Sequence, residues 1–162
     1  MPEAKEHYKH AEHNLEFLKS FCPSRKYNDW AITVAFYTSV HLVEYAIGEK
    51  KRITYRGIVL EGIEHSDQLP VFASKCGVGK PSGLKLDSKS QHYLRNVLLE
   101  GSDEFSKIVP YYISLYKKSR QSRYYKYSWT DTEIDLIMKF IFCPLINWFA
   151  DNFHSRLQYV YS

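Results

Sequence analysis

Cysteine is scarce in this chain. Cys22, Cys76 and Cys143 stand far apart, with no Cys-x-x-Cys pair, which argues against a disulfide framework or a zinc site. Glycine is nearly confined to one region: Gly48, Gly57, Gly62, Gly77, Gly79 and Gly83 are six of the seven. That region, residues 48–87, reads as an irregular insertion between the second and third helices, too long for a simple connection. Long apolar runs are missing as well, since charges lie within reach of each one, so no membrane-spanning helix is expected. The opening MPEAKEHYKH is charged from its start and does not read as a signal peptide. A reducing cytoplasm is the expected setting. Gly-x-Ser-x-Gly is absent, as is any Ser-His-Asp spacing. Gly79-Lys80-Pro81-Ser82 resembles a phosphate loop only at a glance, because Pro81 and Ser74 occupy positions that require Ser or Thr and Gly. Neither a metal nor a cofactor is expected.

What is present is helical. A hydrophobic fraction of 44% over 162 residues suits one domain with a sizeable core rather than a disordered chain. The organising stretch is Tyr27–Ile47, YNDWAITVAFYTSVHLVEYAI, which fits a six-turn helix. Ile32, Ala35, Phe36, Ser39, Leu42, Val43, Ala46 and Ile47 fall on one side of it, a core face. The other side carries Trp30, Val34, Tyr37, His41, Glu44 and Tyr45. A solvated face would hold Lys, Glu and Gln instead, so this helix is expected to be covered on both sides.

Asn28 or Asp29 is the candidate N-cap of that helix and Gly48 its C-terminal stop. An earlier helix over residues 3–21 is stopped by Cys22-Pro23; its His7, His10 and His13 are expected on a solvated face. The insertion holds one short helix near Ser66–Lys75. Ser88 or Ser90 opens another, which runs to Glu100. Ser102 opens a further helix with Asp103 and Glu104 in its first turn, and Pro110 either kinks it or marks its regular start. Thr130 and Glu133 form a capping box for a last helix that Pro144 bends. No strand is expected. The fold class is all-α: an antiparallel up-and-down bundle of about five helices, in one domain spanning residues 1–162.

The most distinctive chemistry is the stretch YKKSRQSRYYKY at residues 116–127. On a helix, Tyr116, Arg120, Arg123 and Tyr124 form one stripe. Arg presents a rigid fork that matches phosphate and Tyr a plane for an unpaired base, so this stripe suits single-stranded RNA or a nucleotide. Lys117, Lys118 and Lys126 read as a solvated helix end. The net charge of +4 permits a phosphate partner without requiring one. The 14 tyrosines suit amphipathic contacts with bases or a second subunit. His41 and Glu44, three apart, either carry and orient a proton or form a structural pair. His65, in the insertion, is free to serve a site or to do nothing.

The helix order, with Trp30, Phe36, Tyr37, His41 and Glu44 on the second helix and Leu115, Ser119, Arg120, Arg123 and Tyr124 late in the chain, resembles the HEPN superfamily of small helical bundles. The likeness covers nearly the whole chain in helix order. It implies a homodimer with a shared cleft. It also implies either a metal-independent ribonuclease of toxin–antitoxin or phage-defence systems or a non-catalytic module that binds nucleotides or proteins, with an antitoxin or nucleotidyltransferase as a possible partner. The catalytic members place a His four to six residues beyond an Arg, and no Arg of this chain has one. The expected cleft therefore sets Arg120, Arg123 and Tyr124 against Tyr37, His41 and Glu44, with His65 in reach, and binds RNA or a nucleotide phosphate. If it cleaves, Arg120, His41 and Glu44 are the catalytic candidates; a third reading is a purely structural protein-interaction dimer whose Arg–Glu contacts hold the interface.

Overall fold

The computed structural model describes residues 2–77, 90–126, 128–153 and 156–161. The principal helices are α1 (Ala4–Phe21), α2 (Asn28–Lys50), α4 (Gln91–Gly101), α5 (Val109–Tyr124), α6 (Asp131–Ile137) and α7 (Cys143–Phe153), with a short α3 (Leu69–Lys75). They form an all-α bundle. Gly79, Lys80, Pro81, Ser82, Gly83, Ser88 and Tyr127 lie outside the described residues.

Helix α2 is the central rod. Every residue of its expected core face is fully buried. On the other side Val34 and Glu44 are buried, Tyr37, His41 and Tyr45 are half-buried, and only Trp30 stands out at 59% exposure. The second face is thus covered, as its composition requires. The helix is long and apolar enough to cross a membrane on composition alone, but most of it is buried inside the bundle.

Its ends differ from expectation. Tyr27 is the N-cap. Asn28 is the first helical residue, and its amide donates across the bundle to the Trp129 carbonyl (2.9 Å) and the Asp131 carboxylate (3.1 Å). Gly48 does not stop the helix, which continues to Lys50 and ends with Lys51 in the left-handed region (φ 51). Glycine at 48 answers a packing need: a Cβ there would lie 2.8 Å from the Ala4 Cβ and 3.3 Å from the Glu64 carbonyl. The same contact sets the start of α1 against the end of α2 as an antiparallel pair.

The insertion contains a hairpin that was not expected. Strands β1 (Arg52–Tyr55) and β2 (Ile58–Glu61) pair antiparallel. Arg56 (φ 48) and Gly57 (φ 77) form the two-residue turn, where positive φ at both positions matches the twist of the strands. Ile53, Tyr55 and Leu60 are fully buried. Gly101 lets the Tyr55 ring press against α4, since a Cβ there would meet its Cε2 at 2.3 Å.

The hairpin also explains why no helix begins at Ser102. The Glu104 carboxylate accepts from the Thr54 backbone N–H (2.8 and 3.0 Å), and the Asp103 N–H donates to the Thr54 carbonyl (3.1 Å). Residues 102–108 are held as turns, and α5 begins at Val109 with Pro110 in its first turn, where a missing N–H costs nothing. Ser90 caps α4 and the Thr130–Glu133 box caps α6, as expected. Between α6 and α7 a π-helical turn spans Met138–Phe142. Pro144 cannot donate to the Phe140 carbonyl and its ring would crowd it; the widened turn accommodates both.

Candidate functional site

The expected stripe of α5, Tyr116, Arg120, Arg123 and Tyr124, lines one groove. Residues three apart on a helix lie about 60° apart round the axis, so both arginines keep to this face, with different partners. Arg123 turns inward: its Nη1 donates to the Tyr37 hydroxyl (2.9 Å), its Nε to the Ser119 carbonyl (3.3 Å), and its guanidinium lies over the Tyr37 and Tyr124 rings. Arg120 is exposed and has a ring contact with Tyr116. Tyr124 and Tyr125 are 61% and 76% exposed. With Ser90, His92 and Tyr116 these residues line an open groove of about 430 Å³ between α4 and α5. No carboxylate is among its described lining residues. Lys118 and Lys126 are directed elsewhere, over the Trp129 ring, with Lys126 also paired to Glu133 at 2.6 Å.

His41 and Glu44 do not face this groove's arginines. Glu44 is fully buried and its partners are Arg95 (Nε to Oε1, 2.5 Å), both the backbone N–H (3.0 Å) and hydroxyl of Ser66, and His65 (Nε2 to Oε2, 3.5 Å). Neither Arg120 nor Arg123 is among them. Burial works to raise the Glu44 carboxyl, but Arg95, His65 and Ser66 outweigh it and hold it below its ordinary value. His65 is buried and caps the turn Ser66–Gln68, with Nδ1 2.9 Å from Asp67. It is thus neither an exposed loop side chain nor part of the Arg120–Arg123 groove.

His41 pairs with a residue expected in solvent. His7 is buried, and the Nδ1 atoms of the two rings lie 3.0 Å apart, so one of them carries the proton. His65 lies 5.3 Å from His7, ring to ring, and exposed His10 stacks on His41 at 4.9 Å. Burial, with His7, His10 and Arg95 nearby, pushes His41 down to about 4 against the pull of Glu44. Burial, with His65, Arg95 and His10, lowers His7 likewise. His13 is exposed, as expected. Among the described residues no group of three or more His, Cys, Asp or Glu is arranged to hold a metal ion.

Arg95 joins the two regions. While its Nε binds Glu44, its Nη1 lies 3.3 Å from Nδ1 of His92, which lines the groove beside Tyr37 and Tyr116. Burial, Arg95 and Arg123 all lower the His92 imidazole. The arrangement offers the groove two guanidinium groups, a neutral imidazole and two exposed rings. Arg95 and His92 escaped sequence reasoning and His7 was expected in solvent, yet a signal existed. Arg95 falls on the Leu94–Leu98–Leu99 stripe of α4, and His7 on the Ala4–Ala11–Leu15 stripe of α1. A polar residue on an apolar stripe announces a buried partner.

No known protein family's profile matches this chain, and neither a curated protein nor a solved structure matches it.

Proposed function

We propose that this chain is a HEPN-like domain that pairs as a homodimer in the cytoplasm and holds RNA or a nucleotide phosphate in the α4–α5 groove without cleaving it. The observation that carries this reading is the groove lining: Arg120 and Arg123 beside exposed Tyr124 and Tyr125, with no carboxylate among the described residues. Arg123 is pre-oriented by Tyr37 and Ser119, so little side-chain freedom is lost on binding. An exposed Tyr pair supplies stacking surface that is indifferent to base identity.

The test is a salt titration of binding to a labelled single-stranded RNA. Two phosphate contacts on a single strand predict a slope of log affinity against log salt near −1.4, at about −0.7 per contact. Arg120→Ala with Arg123→Ala should flatten it. Affinity indifferent to salt, or to both substitutions, would refute the reading.

A second reading is a metal-independent ribonuclease of a toxin–antitoxin or phage-defence system, with an antitoxin or nucleotidyltransferase as partner. It is favoured by one observation, the His92 imidazole beside Arg123 in the groove. Cleavage of RNA in EDTA that vanishes in Arg123→Ala would establish it.

A further inference from the structure

We infer that His92 is a fixed hydrogen-bond donor for a phosphate-ester anion in the α4–α5 groove, and that Arg95 makes it one by holding its proton on Nε2. The inference rests on the groove being a phosphate site and adds how its imidazole is used. Arg has five N–H donors and no acceptor. The contact from Arg95 Nη1 to His92 Nδ1, at 3.3 Å, therefore requires a bare Nδ1. A neutral ring with Nδ1 bare carries its proton on Nε2. Nδ1 is turned to buried Arg95, and the ring lines the groove, so Nε2 is the nitrogen left for a ligand.

Protonating the ring would set an Nδ1–H against an arginine N–H. Arg95 cannot turn away, because its Nε is committed to fully buried Glu44 and its side chain is itself buried. Arg123 and Arg95 face the ring from α5 and α4, and Tyr37, Phe36 and Tyr116 surround it. No carboxylate is among these neighbours to favour the charged form. The ring stays neutral and keeps its donor outward.

The consequence separates recognition from catalysis. A general base needs a bare nitrogen at the substrate, and here the bare nitrogen is spoken for. Held this way, His92 donates to a phosphate oxygen and does not take the proton of a 2′-hydroxyl. Arg95 and Glu44 are positioning residues that act through the imidazole.

Two measurements test this. The first is ¹⁵N NMR of the imidazole nitrogens in the free protein at neutral pH, assigned by comparison with His92→Gln. A bare Nδ1 and a protonated Nε2 are expected; the opposite tautomer or an imidazolium would overturn the inference. The second is binding of a labelled single-stranded RNA. His92→Gln, whose amide N–H₂ reproduces the Nε2 donor, should stay within about three-fold of the parent, whereas His92→Phe should lose about ten-fold, the scale of one hydrogen bond to a charged group. Equal affinities for all three proteins would overturn it. If the tautomer is as expected but Arg120→Ala with Arg123→Ala binds like the parent, the phosphate site itself fails and the inference falls with it. If those arginines matter and the tautomer is reversed, only the role of His92 fails.

Discussion

Lowering the pH from about 7.5 to about 5 should cost the folded chain about 1–2 kcal/mol, most of it through His41. In the unfolded chain this imidazole titrates near its ordinary 6.5, while in the fold it is held down at about 4. Between those values the unfolded state binds a proton that the native state refuses, so stability is complete above the unfolded value and is lost as the pH falls toward the folded one. The full displacement corresponds to roughly 3 kcal/mol at 1.36 kcal/mol per pKa unit. His41 is only half-buried, and solvent screening brings this down to about 1–2 kcal/mol. His7 and His92, also lowered, act in the same direction. Glu44 stays out of the window, because its contribution is present above its ordinary 4.5 and is lost only below it. The structural cause is burial first, and after it the His7 ring, whose Nδ1 lies 3.0 Å from that of His41, so the two atoms cannot each carry a proton. Urea unfolding followed by circular dichroism at a series of pH values measures the effect. His41→Gln keeps a hydrogen-bonding partner for His7 but cannot charge, and should remove the larger part of the loss. A stability flat across this range, or a loss that His41→Gln leaves unchanged, would refute the reasoning.

Two further outcomes follow from packing. Arg95→Met strands the Glu44 carboxylate in the core and should cost about 3–5 kcal/mol, whereas pairing it with Glu44→Leu should recover much of that; urea midpoints of the parent, single and double variants decide it. Gly101→Ala drives a methyl group to 2.3 Å from the Tyr55 ring and should cost about 1–3 kcal/mol by overpacking, read as a lowered Tm.

The parts of this fold legible in the sequence are those set by period and by caps. Helix α2 shows an apolar stripe backed by rings and polar groups rather than by Lys and Gln, and both of its sides are covered. Ser90 and the Thr130–Glu133 box cap the helices they were expected to cap. The hairpin was hidden because its strands are four residues long and its turn is Arg-Gly rather than the more telling Asn-Gly. Gly48 misled, and the reason for a glycine at 101 was hidden, on common ground: each is small because another element approaches it, at Ala4 and at Tyr55, and such a contact is invisible along the chain. Of the residues expected to face one another, Tyr37 meets Arg123, while Glu44 lies elsewhere. Its spacing from His41 was readable, but its partner, Arg95, comes from another helix 51 residues on.

That same pairing explains why the core keeps an ion pair at all. A buried pair is seldom worth more than apolar residues of equal volume, so its presence here calls for a use, and the fork of Arg95 supplies one by binding Glu44 and His92 through different nitrogens. Arg95→Lys separates the two tasks. A lysine keeps the positive charge beside Glu44 but has one nitrogen instead of a rigid fork, so it holds the carboxylate and releases the imidazole. Freed from an enforced donor on Nδ1, His92 should populate both tautomers, and its pKa should rise toward the ordinary histidine value. Both changes are visible in the ring nitrogen shifts across a pH titration. If Arg95→Lys folds and His92 titrates as in the parent, Arg95 serves the core alone and the link from Glu44 to the groove is refuted.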